Sequence, residues 1–143
     1  MSNDRKATRI QAISFFRDAD KKALEHLESA ADEVNVPAGH TLIAQGHMHN
    51  EGMIVEKGTA EVLIDGNVVA EVGEGQIIGE LALLAPGPAT ATVRAKSDMT
   101  LLVIPFNRFD QIMVDNPAMV KGIARDLASR LRAMDARSRL SVL

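Results

Sequence analysis

The sequence contains no cysteine, tryptophan or tyrosine, and only four phenylalanines among its 143 residues. The absence of cysteine excludes disulfides, thiolate metal sites and cysteine nucleophiles together, while leaving the redox compartment open. With so few aromatic rings, the stacking platforms on which single-stranded nucleic acids lie are missing. Nor is there an excess of positive charge. Sixteen Lys and Arg stand against nineteen Asp and Glu, a formal net charge of -3. A sequence-independent grip on DNA or RNA needs cations gathered on one face, so no nucleic-acid partner is expected. No run of eighteen apolar residues occurs, and "MSNDRKATRIQAISFF" is polar before its first hydrophobic pair. Neither a membrane span nor a secretory signal is encoded, and a soluble cytoplasmic protein with no membrane partner is the expectation.

What is present is a 46% apolar chain, enough to bury a core as a single domain over residues 1–143. Periodicity divides it into three. "DKKALEHLESAADEV" places Ala23, Leu24, Leu27, Ala31 and Val34 on one helical face behind an Asp20 cap, predicting a helix over about 20–34. From about 36 to 105 short β-rich runs alternate with Gly, Asn, Asp and Pro, and Asp65-Gly66 is a hairpin signal. Many short strands at this length predict an antiparallel jelly roll. Helical spacing returns over about 107–140, with Asn116 as cap and Pro117 in the first turn of the last helix. Residues 1–9 and the last few residues are expected to fray.

The segment richest in chemical signal is "GEGQIIGELALLAPGPATATV", residues 73–93. A short helix starting near Gly79 would turn backbone N–H groups toward the roll, and such a nest suits an anion. Glu80 offers acceptors only, which suits a hydroxyl partner. The structural alternative is a carboxylate that merely complements the dipole of a short helix. A second candidate, His47-x-His49 in "GHMHNEG", has the beginnings of a cupin metal motif, but Glu51 follows too closely and no later histidine exists. Both imidazoles are therefore expected in an exposed loop, and no metal or other cofactor is expected. No Ser-His-Asp order and no Gly-Lys phosphate loop stand out, so an enzyme is not expected.

Helix, some eight strands and two more helices, with a Gly-Glu-apolar insertion late in the roll, resemble the cyclic nucleotide-binding domain family. The similarity runs from about Phe15 to Arg132. It rests on "VPAGHTLIAQGHMHNEGMIVEKGTAEV", with turn glycines Gly39, Gly46 and Gly58, and on the 79–92 segment, which resembles the family's phosphate-binding cassette. The resemblance implies that Glu80 accepts from a ribose 2′-hydroxyl. It also implies a cAMP or cGMP site built from Gly79, Glu80, Leu81 and Ala82, with Ala89, Thr90, Ala91 and Thr92 across the loop.

One position departs from the family pattern. The cassette usually carries an Arg after its Pro, clamping the phosphate, whereas this chain reads Pro88-Ala89-Thr90-Ala91-Thr92. Loss of a partly desolvated bidentate contact of ~2–4 kcal/mol predicts binding weaker by ~30- to 1000-fold. Backbone amides, Thr90 and Thr92 are expected to retain the remainder. Arg94 lies on the same strand face but further from the loop, and is expected to be a solvated edge charge. Thr90 after the missing Arg tilts the implied ligand toward cGMP; its structural alternative is simply a β-branched strand residue.

In the last helix Met119, Ile123, Leu127, Leu131 and Met134 form an apolar stripe opposite Lys121, Arg125, Arg130, Arg132 and Arg137. The resemblance implies that this helix either lids the nucleotide base or pairs with its twin as a homodimer through 117–140; the structural alternative is packing back on its own roll. No helix-turn-helix or effector domain follows before Leu143, so output is expected through an unidentified protein partner, unless the chain is a fragment. The expectation is a non-enzymatic regulatory sensor or adaptor that binds cAMP or cGMP weakly in 79–92. The alternative is a degenerate member without nucleotide binding, serving dimerisation or protein interaction.

Overall fold

The computed structural model describes residues 2–142, with side chains described for 5–136. Two helices open the chain, α1 (Ser2–Gln11) and α2 (Lys21–Ala30), with a 3₁₀ turn at Ser14–Phe16 between them. Ten strands follow: β1 (Asp32–Val36), β2 (Thr41–Ile43), β3 (Met48–His49), β4 (Glu51–Lys57), β5 (Ala60–Ile64), β6 (Asn67–Val72), β7 (Ile77–Ile78), β8 (Gly87–Pro88), β9 (Thr92–Ala95) and β10 (Met99–Pro105). Helices α3 (Phe106–Asp115) and α4 (Pro117–Val142) close it. All strand pairs are antiparallel, in sheets ordered β1-β10-β4-β7 and β2-β9-β5-β6 plus the short ladder β3-β8. This is the expected jelly roll with flanking helices.

The alternation of a strand distributes its side chains between two cores. Met53, Val55, Met99 and Leu101 point into the roll, where they meet Ile43, Ala60, Val93 and Ala95 of the second sheet. Ile54, Leu102 and Ile104 face the other way, into a helical core with Ile10, Leu27, Ile112, Met119 and Ile123. Three of the four phenylalanines gather there: Phe15, Phe16 and Phe109 have ring centroids 5.2–6.3 Å apart. The β5–β6 hairpin turns on Asp65 (φ 52°) and Gly66 (φ 83°), the two-residue turn that Asp-Gly signals.

Three expectations need correction. The helix predicted over 20–34 begins as expected, with Asp20 Oδ1 accepting from Ala23 N–H at 2.9 Å, but it stops at Ala30. Residues 32–36 pair instead with β10, so Val34, opposite Leu101, is a strand residue. Its helical spacing is a coincidence that the β ladder overrides. Second, the expected N-terminal fray is a helix. Ile10 is fully buried, Lys6 Nζ donates to the Ala31 carbonyl at 2.9 Å, and Arg5 pairs with both Glu33 and the buried Glu56. At the other end the backbone stays helical to Val142.

Third, the described contacts of the Asn116 side chain are not those of a cap on the last helix. Its amide donates to the Ile112 carbonyl at 2.8 Å and lies 3.1 Å from His26 Nδ1, which ties off α3. Its backbone carbonyl receives Met119 N–H at 3.1 Å. Pro117 is the first residue of α4, as expected.

Candidate functional site

The cassette begins at Gly79, whose φ of +72° is left-handed. A side chain there would be strained, and its Cβ would collide with His49 Nε2 and lie 2.9 Å from the Glu51 carbonyl oxygen. Glycine is required for both reasons. The next four residues, Glu80–Leu83, form a 3₁₀ turn that buries Ala82 and Leu83. Leu83 reaches β4 at Gly52, where a Cβ would lie 2.6 Å from a Leu83 methyl. The absence of a side chain at Gly52 thus seats the turn on the sheet.

Between this turn, Ile43 of β2, Val62 of β5 and Val93 of β9 lies a cavity of about 370 Å3, mostly apolar in its lining. That volume is in the range of small-molecule sites. Of the predicted site residues, Gly79, Glu80, Leu81, Ala82, Ala89, Thr90 and Ala91 line it. Thr92 does not: its hydroxyl accepts from Gln45 N–H at 3.0 Å, a structural bond between strand ends. Ala89 faces the cavity and packs on the roll core, but its backbone is spent. Ala89 N–H donates to the His47 carbonyl and its own carbonyl receives Gly46 N–H, both at 2.8 Å. The amide expected to help hold an anion is therefore unavailable at this position.

Among the described residues no Lys or Arg lines the cavity. Arg94, as expected, is an exposed strand charge, 3.4 Å from Glu61. A cation of α4 does reach one lining residue. Arg130 Nη1 donates to Glu80 Oε1 at 2.6 Å, while Arg130 Nη2 lies 2.9 Å from Asp126 Oδ2. The second contact is an ion pair without hydrogen-bond alignment, since Asp126 Oδ2 is buried with no hydrogen-bond partner. Burial works against the Arg130 charge, and the bond to Glu80 with the charges of Glu80 and Asp126 more than offsets it, so its pKa is raised. Sequence reasoning put Arg130 on a polar face and missed its partner, because Glu80 lies fifty residues away.

His49 is a correction. Expected with His47 in an exposed loop, it sits in β3, half-buried, and lines the cavity beside Gly79. The β3–β8 ladder, pairing His49 with Gly87, carries it there. Its Nε2 is buried, with no well-aligned hydrogen-bond partner among the described residues. Burial lowers its pKa, with Glu51 opposing, which favours the neutral imidazole. His47 is exposed in the preceding turn, as expected. No cluster of three or more His, Asp or Glu able to hold a metal occurs among the described residues.

The expected stripe on α4 divides. Met119 and Ile123 are buried and Leu127 packs partly against the same helical core, whereas Leu131 and Met134 are 64% and 56% exposed. Arg137 lies outside the residues whose side chains are described.

Comparison with known proteins agrees with this geometry. The N-terminal domain of a transcriptional regulator from Streptomyces coelicolor has a TM-score of 0.79 at 28% identity, covering 90% of this chain and 95% of that one. The regulatory domain of Toxoplasma gondii PKA, solved with cAMP, has a TM-score of 0.72 at 31% identity over 78% of this chain and 44% of that one. Thermus thermophilus catabolite activator protein shares the fold, with a TM-score of 0.76 at 23% identity over 90% of this chain and 63% of that one. Lysophospholipase nte1 of Aspergillus terreus is 28% identical over 116 residues, 78% of this chain, which spans 8% of that protein's length. The family model for the cyclic nucleotide-binding domain matches residues 33–116, more than half of the sequence, and the chain therefore belongs to the cyclic nucleotide-binding domain family.

Proposed function

We propose that this chain is a non-enzymatic regulatory module that binds cAMP or cGMP weakly in the cavity beside 79–92 and relays occupancy through α4. The observation that carries the reading is the Glu80–Arg130 bond: a carboxylate that lines the cavity is held by the helix best placed to report on it. A nucleotide whose ribose hydroxyl engages Glu80 competes with Arg130 and alters the seating of α4. Weakness follows from the lining, which supplies no side-chain cation to the phosphate. Calorimetric titration with cAMP and with cGMP is the test. Micromolar or poorer affinity is expected, and a nanomolar constant is incompatible with a site lacking its clamp.

A second reading is favoured by that same lining together with the exposed Leu131. In it the cavity no longer serves a nucleotide, and α4 supports a homodimer or a protein contact. Silence toward both nucleotides at millimolar concentration would select it.

A further inference from the structure

Arg130 stands between two carboxylates, and only one of its contacts is well made. Nη1 donates to Glu80 Oε1 at 2.6 Å, across from α4 to the cassette. Nη2 lies 2.9 Å from Asp126 Oδ2, one turn back on α4 itself. That oxygen is buried without an aligned donor among the described residues, on a side chain that is 7% exposed. A carboxylate so buried is costly unless a cation stands beside it. Arg17, 4.0 Å from Oδ1 and largely in solvent, is a poor substitute. An acid four residues before a base is the favourable order for a pair on one helix, and a guanidinium needs only to rotate to complete it. The two contacts differ in what they join. The first ties α4 to the turn at Glu80–Leu83, whereas the second closes within α4.

The packing of α4 shows where movement would begin. Gly122 approaches the segment before α2 so closely that a Cβ there would lie 2.5 Å from Asp18 Cβ. Met119 and Ile123 are buried in the helical core, while Leu131 and Met134, past Asp126, are exposed.

We propose that Asp126 is a second seat for Arg130: when a ligand engages Glu80, the guanidinium turns from the cassette to Asp126, releasing α4 beyond that point while the part before it stays docked. This rests on Glu80 being the group that the ligand takes, as proposed above. Without Asp126, capture of Glu80 would strand a partly buried guanidinium, and the ligand would have to overcome that cost. Asp126 touches no ligand; it is a positioning residue that acts through Arg130.

Two measurements on the full chain test it, and the first needs no ligand. Glu80→Ala removes the competing carboxylate, and the side-chain nitrogen resonances of Arg130 report where the guanidinium goes. Its two Nη groups should stay distinct, as for a guanidinium held by a carboxylate, and should collapse to one averaged signal when Asp126→Asn is added. Backbone relaxation in Glu80→Ala should show residues 131–136 more mobile than in the parent and residues 119–126 unchanged. The second measurement is titration with cAMP and cGMP. Asp126→Asn should weaken binding about fivefold, and Asp126→Glu should recover most of that loss. In an Arg130→Met background Asp126→Asn should change affinity less than about twofold, because no guanidinium is left to reseat. A carboxylate that served folding alone would lower the melting temperature of Asp126→Asn and leave affinity as it was.

Averaged Arg130 signals in Glu80→Ala alone overturn the inference, as do residues 131–136 no more mobile than in the parent. A folded Asp126→Asn variant that binds nucleotide as the parent does overturns it too. Should Asp126→Asn fail to fold, the Glu80→Ala spectra decide by themselves. Silence toward both nucleotides at millimolar concentration is a different failure: it brings down Glu80 as the ligand's partner, while the same spectra still decide whether Arg130 has a second seat.

Discussion

Arg130 of α4 and Glu80 of the cassette meet at 2.6 Å, although fifty residues separate them. The Arg130 side chain is 39% exposed and that of Glu80 21%, so the pair is screened and its own worth is modest. Arg130 also neutralises Asp126, whose side chain is 7% exposed and which lies 4.0 Å from Arg17 as well. Arg130→Met should therefore cost about 1–2 kcal/mol in denaturant unfolding. Amide resonances from Gly79 to Ala85 should shift as well. A change confined to α4 would show that the helix and the cassette are not coupled.

Glycine is needed at Gly79 more stringently than at Gly75. Both have positive φ, +72° and +81°, but a Cβ at Gly75 meets nothing within 4 Å, whereas one at Gly79 meets His49 and the Glu51 carbonyl. Gly75→Ala should cost roughly 1 kcal/mol, the left-handed penalty alone. Gly79→Ala should cost roughly 2–4 kcal/mol, since overpacking adds to it. Equal losses in thermal unfolding would place the strain elsewhere.

Stability should fall as pH drops through the titration of His49. Burial holds its folded pKa below the ordinary 6.5, with Glu51 opposing, so on acidification the unfolded chain takes up the proton first. Its contribution is present above about 6.5 and is lost as pH falls from there toward the folded value. Glu56 acts with the opposite sign. Burial raises its pKa, aided by Glu33 and opposed by Arg5, so its folded form favours the proton. Comparing parent and His49→Gln from pH 7.5 to about 5.5 isolates the histidine, and the variant should lose less stability over that window. Parallel curves would mean that His49 titrates as it does in the unfolded chain.

Self-association, if it occurs through α4, should depend on Leu131 rather than Leu127. Leu127 packs partly into the chain's own core, while Leu131 is 64% exposed. Leu131→Glu should abolish any dimer seen by light scattering without moving the melting temperature of the monomer by more than a degree or two, the change expected from a surface substitution. A parent protein that stays monomeric at high micromolar concentration ends the idea.

The turn at Gly79 was legible because its determinants are local. Gly79, Glu80 and the apolar run that follows encode a left-handed residue and a short turn within five positions. The jelly roll was legible for a similar reason, from short strands and the Asp65-Gly66 turn. What escaped depends on partners distant in sequence. Residues 1–9 bear little apolar surface, and α1 is held by Ile10 and by the pairing of Arg5 with Glu56, fifty-one positions on. His49 looked like a loop residue because nothing local shows that β3 pairs with β8. Val34 misled because its spacing continues that of Leu27 and Ala31, and only the ladder to Leu101 reveals a strand. The halves of the α4 stripe differ by what covers them, which periodicity does not encode.

Leu101 and Leu102 are adjacent in β10, yet one is buried in the roll and the other in the helical core. The same division runs through Val55 and Ile54 in β4, its hydrogen-bonded neighbour. Two strands therefore form a shared partition between the cores, and losing either core strips one face of the wall that supports the other. The domain should unfold as one cooperative unit, with amides at the centres of β4 and β10 exchanging only through global opening. A signal that loosened α4 at its far end could thus pass without melting the roll, whereas any disturbance reaching Leu102 would be felt on both sides at once.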